Sequence, residues 1–279
     1  MVLESLVRAQ TAEDHPLRMF LLGALYAFLG IVIALWVFRS HAGLVSVFFS
    51  VIFLIPLFLD TLLKEEYAEI HTQSERRLLL SHARALTYLI WIFAGMTTAY
   101  AAGYLLIPDH YINDAYGIQL STITEFNTDL ANSISGGAIS VGVFNAILIN
   151  NLKVLAISFL LTLISGAGVL FVISWNASVI GAALGTYVTQ QASAIGGPLA
   201  IAPLLGLIRY ALHAIPEAAA YFIGGISGGL LSLALVHHNT EHAPSQTLLR
   251  DTFYLLFLSC AILVLAALIE VYAVPAILG

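Results

Sequence analysis

The chain is dominated by long apolar runs separated by short polar connections. Met19–Phe38 is an apolar run of twenty residues, the length needed to cross a hydrocarbon core of ~30 Å. No small-residue cleavage site follows it and Arg39 ends it, so it reads as a retained helix rather than a signal peptide. Gly43–Leu59 predicts a second span, joined to the first by a tight turn at Arg39–Ala42. A third runs from Leu86 to Ile107 and stops at Pro108-Asp109, a fourth covers Leu152–Ser174, and Thr252–Tyr272 is the last.

The stretch Trp175–Val236 breaks this simple pattern. It carries Gly181, Gly185, Gly196, Gly197, Pro198, Pro203, Gly206, Pro216, Gly224, Gly225, Gly228 and Gly229. At about 1.5 Å per residue a single helix of that length would be roughly three times too long for one crossing. It must fold into several segments, with broken or re-entrant pieces packed inside a bundle, because non-helical backbone survives at membrane depth only where protein or water satisfies it. The expected fold is therefore an all-α polytopic bundle of about six to seven transmembrane helices.

Composition sharpens the class. Of the 279 residues, 60% are hydrophobic and only 9% are charged, against about a quarter charged in ordinary soluble domains. So few charges cannot clothe a water-facing surface, which excludes a soluble enzyme, a nucleic-acid binder and a disordered chain. The net charge of −6 adds little, since the acidic residues are scattered. The single cysteine, Cys260, lies within an apolar run, so neither a disulfide framework nor a thiolate cluster is implied.

The distribution of Lys and Arg predicts orientation. Arg8 and Arg18 precede the first span, and Lys64, Arg76, Arg77 and Arg84 lie in the second connection, whereas 108–151 holds Asp109, Asp114, Glu125 and Asp129 and no basic residue. The positive-inside bias puts the N-terminus and residues 60–85 in the cytoplasm of a plasma-membrane protein, and 108–151 outside. Residues 1–85 then form an N-terminal transmembrane hairpin with its helical connection, and 86–279 form the core. Within the connection, Thr72-Gln73-Ser74-Glu75 has capping-box spacing and predicts a helix start. In the outer segment Leu120, Ile123, Phe126, Leu130 and Ile134 recur at helical spacing, predicting an amphipathic helix that either lies on the membrane or lids the bundle.

Polar side chains inside the apolar segments are the candidate chemistry, since an ionised one costs about 2.5–3.5 kcal/mol at the bilayer centre on insertion scales. Arg209, His213, Glu217 and Tyr221 are four residues apart, which on a helix puts them along one slowly drifting face, ~6 Å apart along the axis. Pro216 lacks an amide donor and clashes with the carbonyl of Leu212, predicting a helix kink or break at 213–216. Such a group either tethers a broken helix structurally or forms an intramembrane site for an ion, a proton or a ligand. His213 and Glu217 alone are too few for a metal centre, and no cofactor motif is present. Asn145, Asn150, Asn151 and Asn176 offer supporting polar groups, either as caps and interhelical bonds or as lining of the same interior. The pairs Gly181/Gly185, Gly224/Gly228 and Gly225/Gly229 let helices approach closely.

In order along the chain stand Asn150-Asn151, Phe159, Gly166 and Gly168, Trp175-Asn176-Ala177, Gly181 and Gly185, His213-Ala214-Ile215-Pro216-Glu217 and the glycine run. Over about residues 86–275 this resembles the stage II sporulation protein M family of prokaryotic integral membrane proteins. It departs at Ala177 and Ala214, where glycine is expected, and in placing the proline before Glu217. The resemblance implies a non-enzymatic membrane component: in that family the sporulation member is the membrane partner in a peptidoglycan-remodelling complex whose hydrolases are separate proteins. The expected partners are the lipid bilayer, other membrane proteins or a second copy, and no nucleic acid. A transporter or channel-like protein using Arg209, His213 and Glu217 is the alternative, and an intramembrane hydrolase the third reading.

Overall fold

The computed structural model describes residues 14–71, 75–133, 139–195, 201–237 and 246–273, and among them the regular structure is helical throughout. In chain order the helices are α1 (Pro16–Val37), α2 (Ala42–Ile52), α3 (Ile55–His71), α4 (Glu75–Leu106), α5 (Asp109–Ser133), α6 (Ile139–Ser165), α7 (Gly168–Ile195), α8 (Ile201–His237) and α9 (Gln246–Leu268). A π-helical turn, Ile269–Ala273, follows α9. Six helices are long and apolar enough to cross a membrane: parts of α1, α4, α6, α7, α8 and α9. The bent pair α2–α3 makes a seventh candidate.

Two proline positions behave oppositely. The expected straight second span is bent by 45° between α2 and α3. Pro56, on the first turn of α3, would drive its ring into the carbonyl of Ile52, where α2 ends. Pro216 does not produce the predicted break. It lies inside α8, which is continuous from Ile201 to His237. Buried transmembrane helices tolerate proline because packed neighbours and local adjustment take up the freed carbonyl. Within 175–236 the described residues therefore form the end of α7 and the whole of α8; residues 196–200 lie outside the description.

The fourth span is also redrawn. The apolar run Leu152–Ser174 is not one helix, because Gly166 has φ +73° and ends α6 there, a left-handed conformation that glycine adopts without strain. Thr162 secures the reversal from both sides: its carbonyl accepts from the Gly166 amide at 2.7 Å, and its hydroxyl accepts from the Val169 amide at 2.7 Å. The spanning helix instead starts near Val141, so Asn145, Asn150 and Asn151 belong to it rather than to a preceding loop. The helix start predicted at Thr72–Glu75 falls on residues 72–74, which lie outside the described residues; α4 is helical from Glu75 onward.

Glycines set the closest approaches. A methyl group on Gly95 would strike the Phe20 carbonyl and one on Gly23 the Ile92 carbonyl, while Gly103 faces Ile31. From Gly23–Ile92 to Ile31–Gly103 the contacts advance along both helices, so α1 and α4 run parallel and end at the same side of the bundle. Gly181 and Gly185 seat α7 on Tyr100 and Tyr104 of α4. α8 is the central helix, buried without interruption from Tyr221 to Leu230. Its Gly224 and Gly228 face Leu155 and Phe159 of α6, Gly225 faces Val169 of α7, and Gly229 faces Leu62 of α3. Side chains at these positions would push the helices apart, which is the packing logic of small residues in membranes.

α5 is outside the set of candidate spans. It caps one end of the bundle against α2, α6 and α7. Tyr116 and Gln119 are buried beneath it, and Leu120 and Ile123 pack on the core. Of the predicted apolar stripe, Leu120 and Ile123 pack on the core and Phe126 is half-buried, while Ile134 and the side chain of Leu130 lie outside the described residues.

Candidate functional site

The site forms where α6, α8 and the end of α9 meet. On α6, Ile147, Asn151, Leu155, Ser158 and Thr162 are all buried, a helical stripe three or four residues apart that turns inward. α8 answers with Glu217, Gly224 and Gly228. Where both helices carry small or apolar residues they pack directly. At the upper step, the Nδ2 of Asn151 donates to Oε1 of Glu217 at 2.6 Å. Behind it, Asn150 Nδ2 donates to Asn151 Oδ1 at 3.3 Å. A carboxyl–amide pair is a fitting partnership at this depth, because each polar group left alone in hydrocarbon would forfeit its bonds to water.

Glu270 is the residue that sequence reading overlooked. It stands on the π-helical turn after α9, which packs against α8 and α6. π-helical turns often accompany functional positions because they re-aim a side chain. The signal was present in the sequence: a carboxylate inside the apolar run Thr252–Tyr272 is as conspicuous as Glu217 itself. Among the described side chains no cation is paired with either carboxyl; Lys153 is exposed on α6.

The other expected residues divide clearly. Tyr221 is buried, 2% exposed, one turn below Glu217 on α8 and electrostatically coupled to it. His213 is half-buried, its ring 6.3 Å from that of Tyr210 in an edge-on arrangement. Arg209 lies on α8, but its side chain is outside the description. Asn145 is exposed, and Asn176 bonds to the Val172 carbonyl of its own helix at 2.8 Å. Neither joins the site. Among the described residues no three His, Cys, Asp or Glu side chains are grouped closely enough to hold a metal ion.

A second polar cluster, of different character, occupies the interior between α1, α2, α4, α5 and α7. The Ser50 hydroxyl lies 3.1 Å from the Tyr100 hydroxyl, and Tyr116 donates to the Tyr100 carbonyl at 2.8 Å. Gln119 donates to the Gly43 carbonyl at 2.9 Å and to Ser178 Oγ at 3.2 Å. Deeper in the bundle, Thr61 bonds to the Tyr88 hydroxyl. Every member is neutral, and together they tie the capping helix α5 to three spans.

A helical bundle with six long apolar candidate spans among the described residues and an interior acid–amide pair defines an all-α polytopic membrane protein. Residues 84–275 match the family of stage II sporulation protein M, more than half of the chain, and the protein belongs to that family. No curated protein and no solved structure matches it.

Proposed function

We propose that the protein is a non-enzymatic membrane component that anchors or organises partner proteins through α5. The observation that carries this reading is the docking of α5. Its first half is fixed by the buried Tyr116 and Gln119, while Ser121, Thr124, Glu125, Asn127 and Thr128 remain exposed on its second half. A helix held by buried hydrogen bonds and presenting a polar face is a pre-organised platform, which lowers the ordering cost of binding a partner. The positive-inside bias favours the outer side for this platform.

A second reading, ion or proton passage, is favoured by one specific feature: a second carboxyl, Glu270, on the turn that packs against α8 and α6, the helices of the Glu217–Asn151 pair. A packing role needs only the amide of Asn151, whereas two carboxyls together inside a membrane are a usual mark of a relay or ion site. Reconstitution separates the two. The scaffold reading predicts liposomes with no proton or alkali-cation flux in wild type or Glu217→Gln, and loss of co-purifying membrane proteins on Thr124→Arg in α5. A pH-dependent flux abolished by both Glu217→Gln and Glu270→Gln would overturn it in favour of transport.

A further inference from the structure

At the end of the bundle shared by α1, α4 and α5, the chain reverses through the 3₁₀ turn Arg39–His41. A groove of about 500 Å³ opens beside this turn, lined by Val37, Phe38, Arg39, Ser40, His41 and Asp114. The helix ends at this side of the bundle expose large apolar side chains. Trp36 is 85% exposed and Leu106 is 81% exposed, and they stand at the ends of the parallel helices α1 and α4. Aromatic side chains at the ends of spans sit at the headgroup level.

Arg39 is fixed in this groove. Its Nε donates to Asp114 Oδ2 at 2.6 Å, and its guanidinium lies over the Tyr111 ring, 4.4 Å from the centroid. The stacking and the bond orient the exposed fork, and the bond to Asp114 engages Nε, which leaves the two terminal nitrogens for another anion. Planar guanidinium groups held in this way suit phosphate oxygens better than a mobile ammonium does. Ser40 and His41, both exposed on the same turn, supply further donors. A purely structural ion pair needs neither the groove nor these neighbours.

We infer that the groove is a binding site for the phosphodiester of a membrane lipid headgroup, with the lipid's chain descending past Phe38 and Trp36. The lining carries one arginine and one aspartate rather than a basic patch. Recognition therefore rests on directed hydrogen bonds to the phosphate more than on overall surface charge, which sets this site apart from polybasic lipid attraction.

Native mass spectrometry of the full chain in detergent, titrated with a short-chain phosphatidylethanolamine, tests the inference. The probes for comparison are diacylglycerol with the same chains and free O-phosphoethanolamine. We expect one saturable phospholipid adduct, weakened about ten-fold by Arg39→Gln through loss of a charge-assisted hydrogen bond. Ser40→Ala/His41→Ala, which leaves the Arg39–Asp114 pair in place, weakens it in the same direction. Equal lipid occupancy in wild type and both variants, or equal binding of diacylglycerol, would overturn the proposal. Binding of free O-phosphoethanolamine as tight as that of the lipid would instead identify a soluble phosphate ligand and overturn the assignment to lipid.

Discussion

The two halves of the bundle solve the same problem with different chemistry. Around α1, α2, α4 and α5 the interior polar groups are hydroxyls, carbonyls and one carboxamide: Ser50, Tyr100, Tyr116, Gln119 and Ser178. Around α6, α8 and the end of α9 they are two carboxyls and one amide, Glu217, Glu270 and Asn151, with the exposed Asn150 bonded behind Asn151. Neutral groups can be satisfied pairwise and forgotten energetically, so the first cluster reads as positional. Ionisable groups carry a penalty that neutral polar residues could have avoided, so the second reads as a site.

Steric and polar perturbations sharpen this contrast. The largest effect should come from Gly228→Leu in α8. A Cβ there would stand 2.5 Å from the Phe159 carbonyl oxygen of α6. Backbone cannot give way as a flexible side chain can, so we expect a loss of about 3 kcal/mol or more, read as a fall in the thermal midpoint of the purified protein. The same substitution separates Asn151 from Glu217, so site-dependent properties should fail with it.

Asn151→Ala comes next. It leaves the Glu217 carboxyl without its donor, and an orphaned buried polar group costs about 1–3 kcal/mol. The complementary change in the neutral half, Tyr116→Phe, removes one hydrogen bond to the Tyr100 carbonyl and should cost about 1 kcal/mol. It should also raise proteolytic cleavage within α5. Should Tyr116→Phe prove the more damaging of the two, the distinction between a positional and a site-forming cluster would fall. Asp114→Asn should have the smallest effect, under about 1 kcal/mol, because the pair with Arg39 is largely exposed.

Much of this architecture was legible in the apolar pattern, and the failures have physical causes. Runs bounded by charges, such as Met19–Phe38 and Leu86–Ile107, map closely onto spans, because hydrocarbon thickness fixes their length. Leu152–Ser174 misled because hydropathy is blind to a tight reversal made of apolar residues; only Gly166 marks the turn. Pro56 and Pro216 look alike in sequence. One sits at a bend between two helices and the other in a helix interior, and a local rule cannot tell which neighbours absorb the lost amide.

For the site, four-residue spacing puts Glu217 and Tyr221 on one helix, α8, whereas the double asparagine said nothing on its own about its partner. What spacing on a single helix cannot reveal is the partner from another. The Asn151–Glu217 bond joins residues 66 positions apart, and Glu270 arrives from the far end of the chain. The same limit hid the neutral cluster, since Ser50, Tyr100 and Gln119 are unremarked until three helices bring them together.

The most direct test of the central claim, that the turn after α9 packs on α8 so as to bring Glu270 near Glu217 within the bundle, is proximity cross-linking in membranes. Glu217→Cys and Glu270→Cys would be combined on a Cys260→Ser background and treated with a short bifunctional maleimide. The account predicts an efficient intramolecular cross-link, with neither single cysteine labelled by a lipid-soluble alkylating probe as readily as one placed at the exposed Phe257. Strong labelling of position 217 or 270 from the lipid phase, with no cross-link between them, would contradict it.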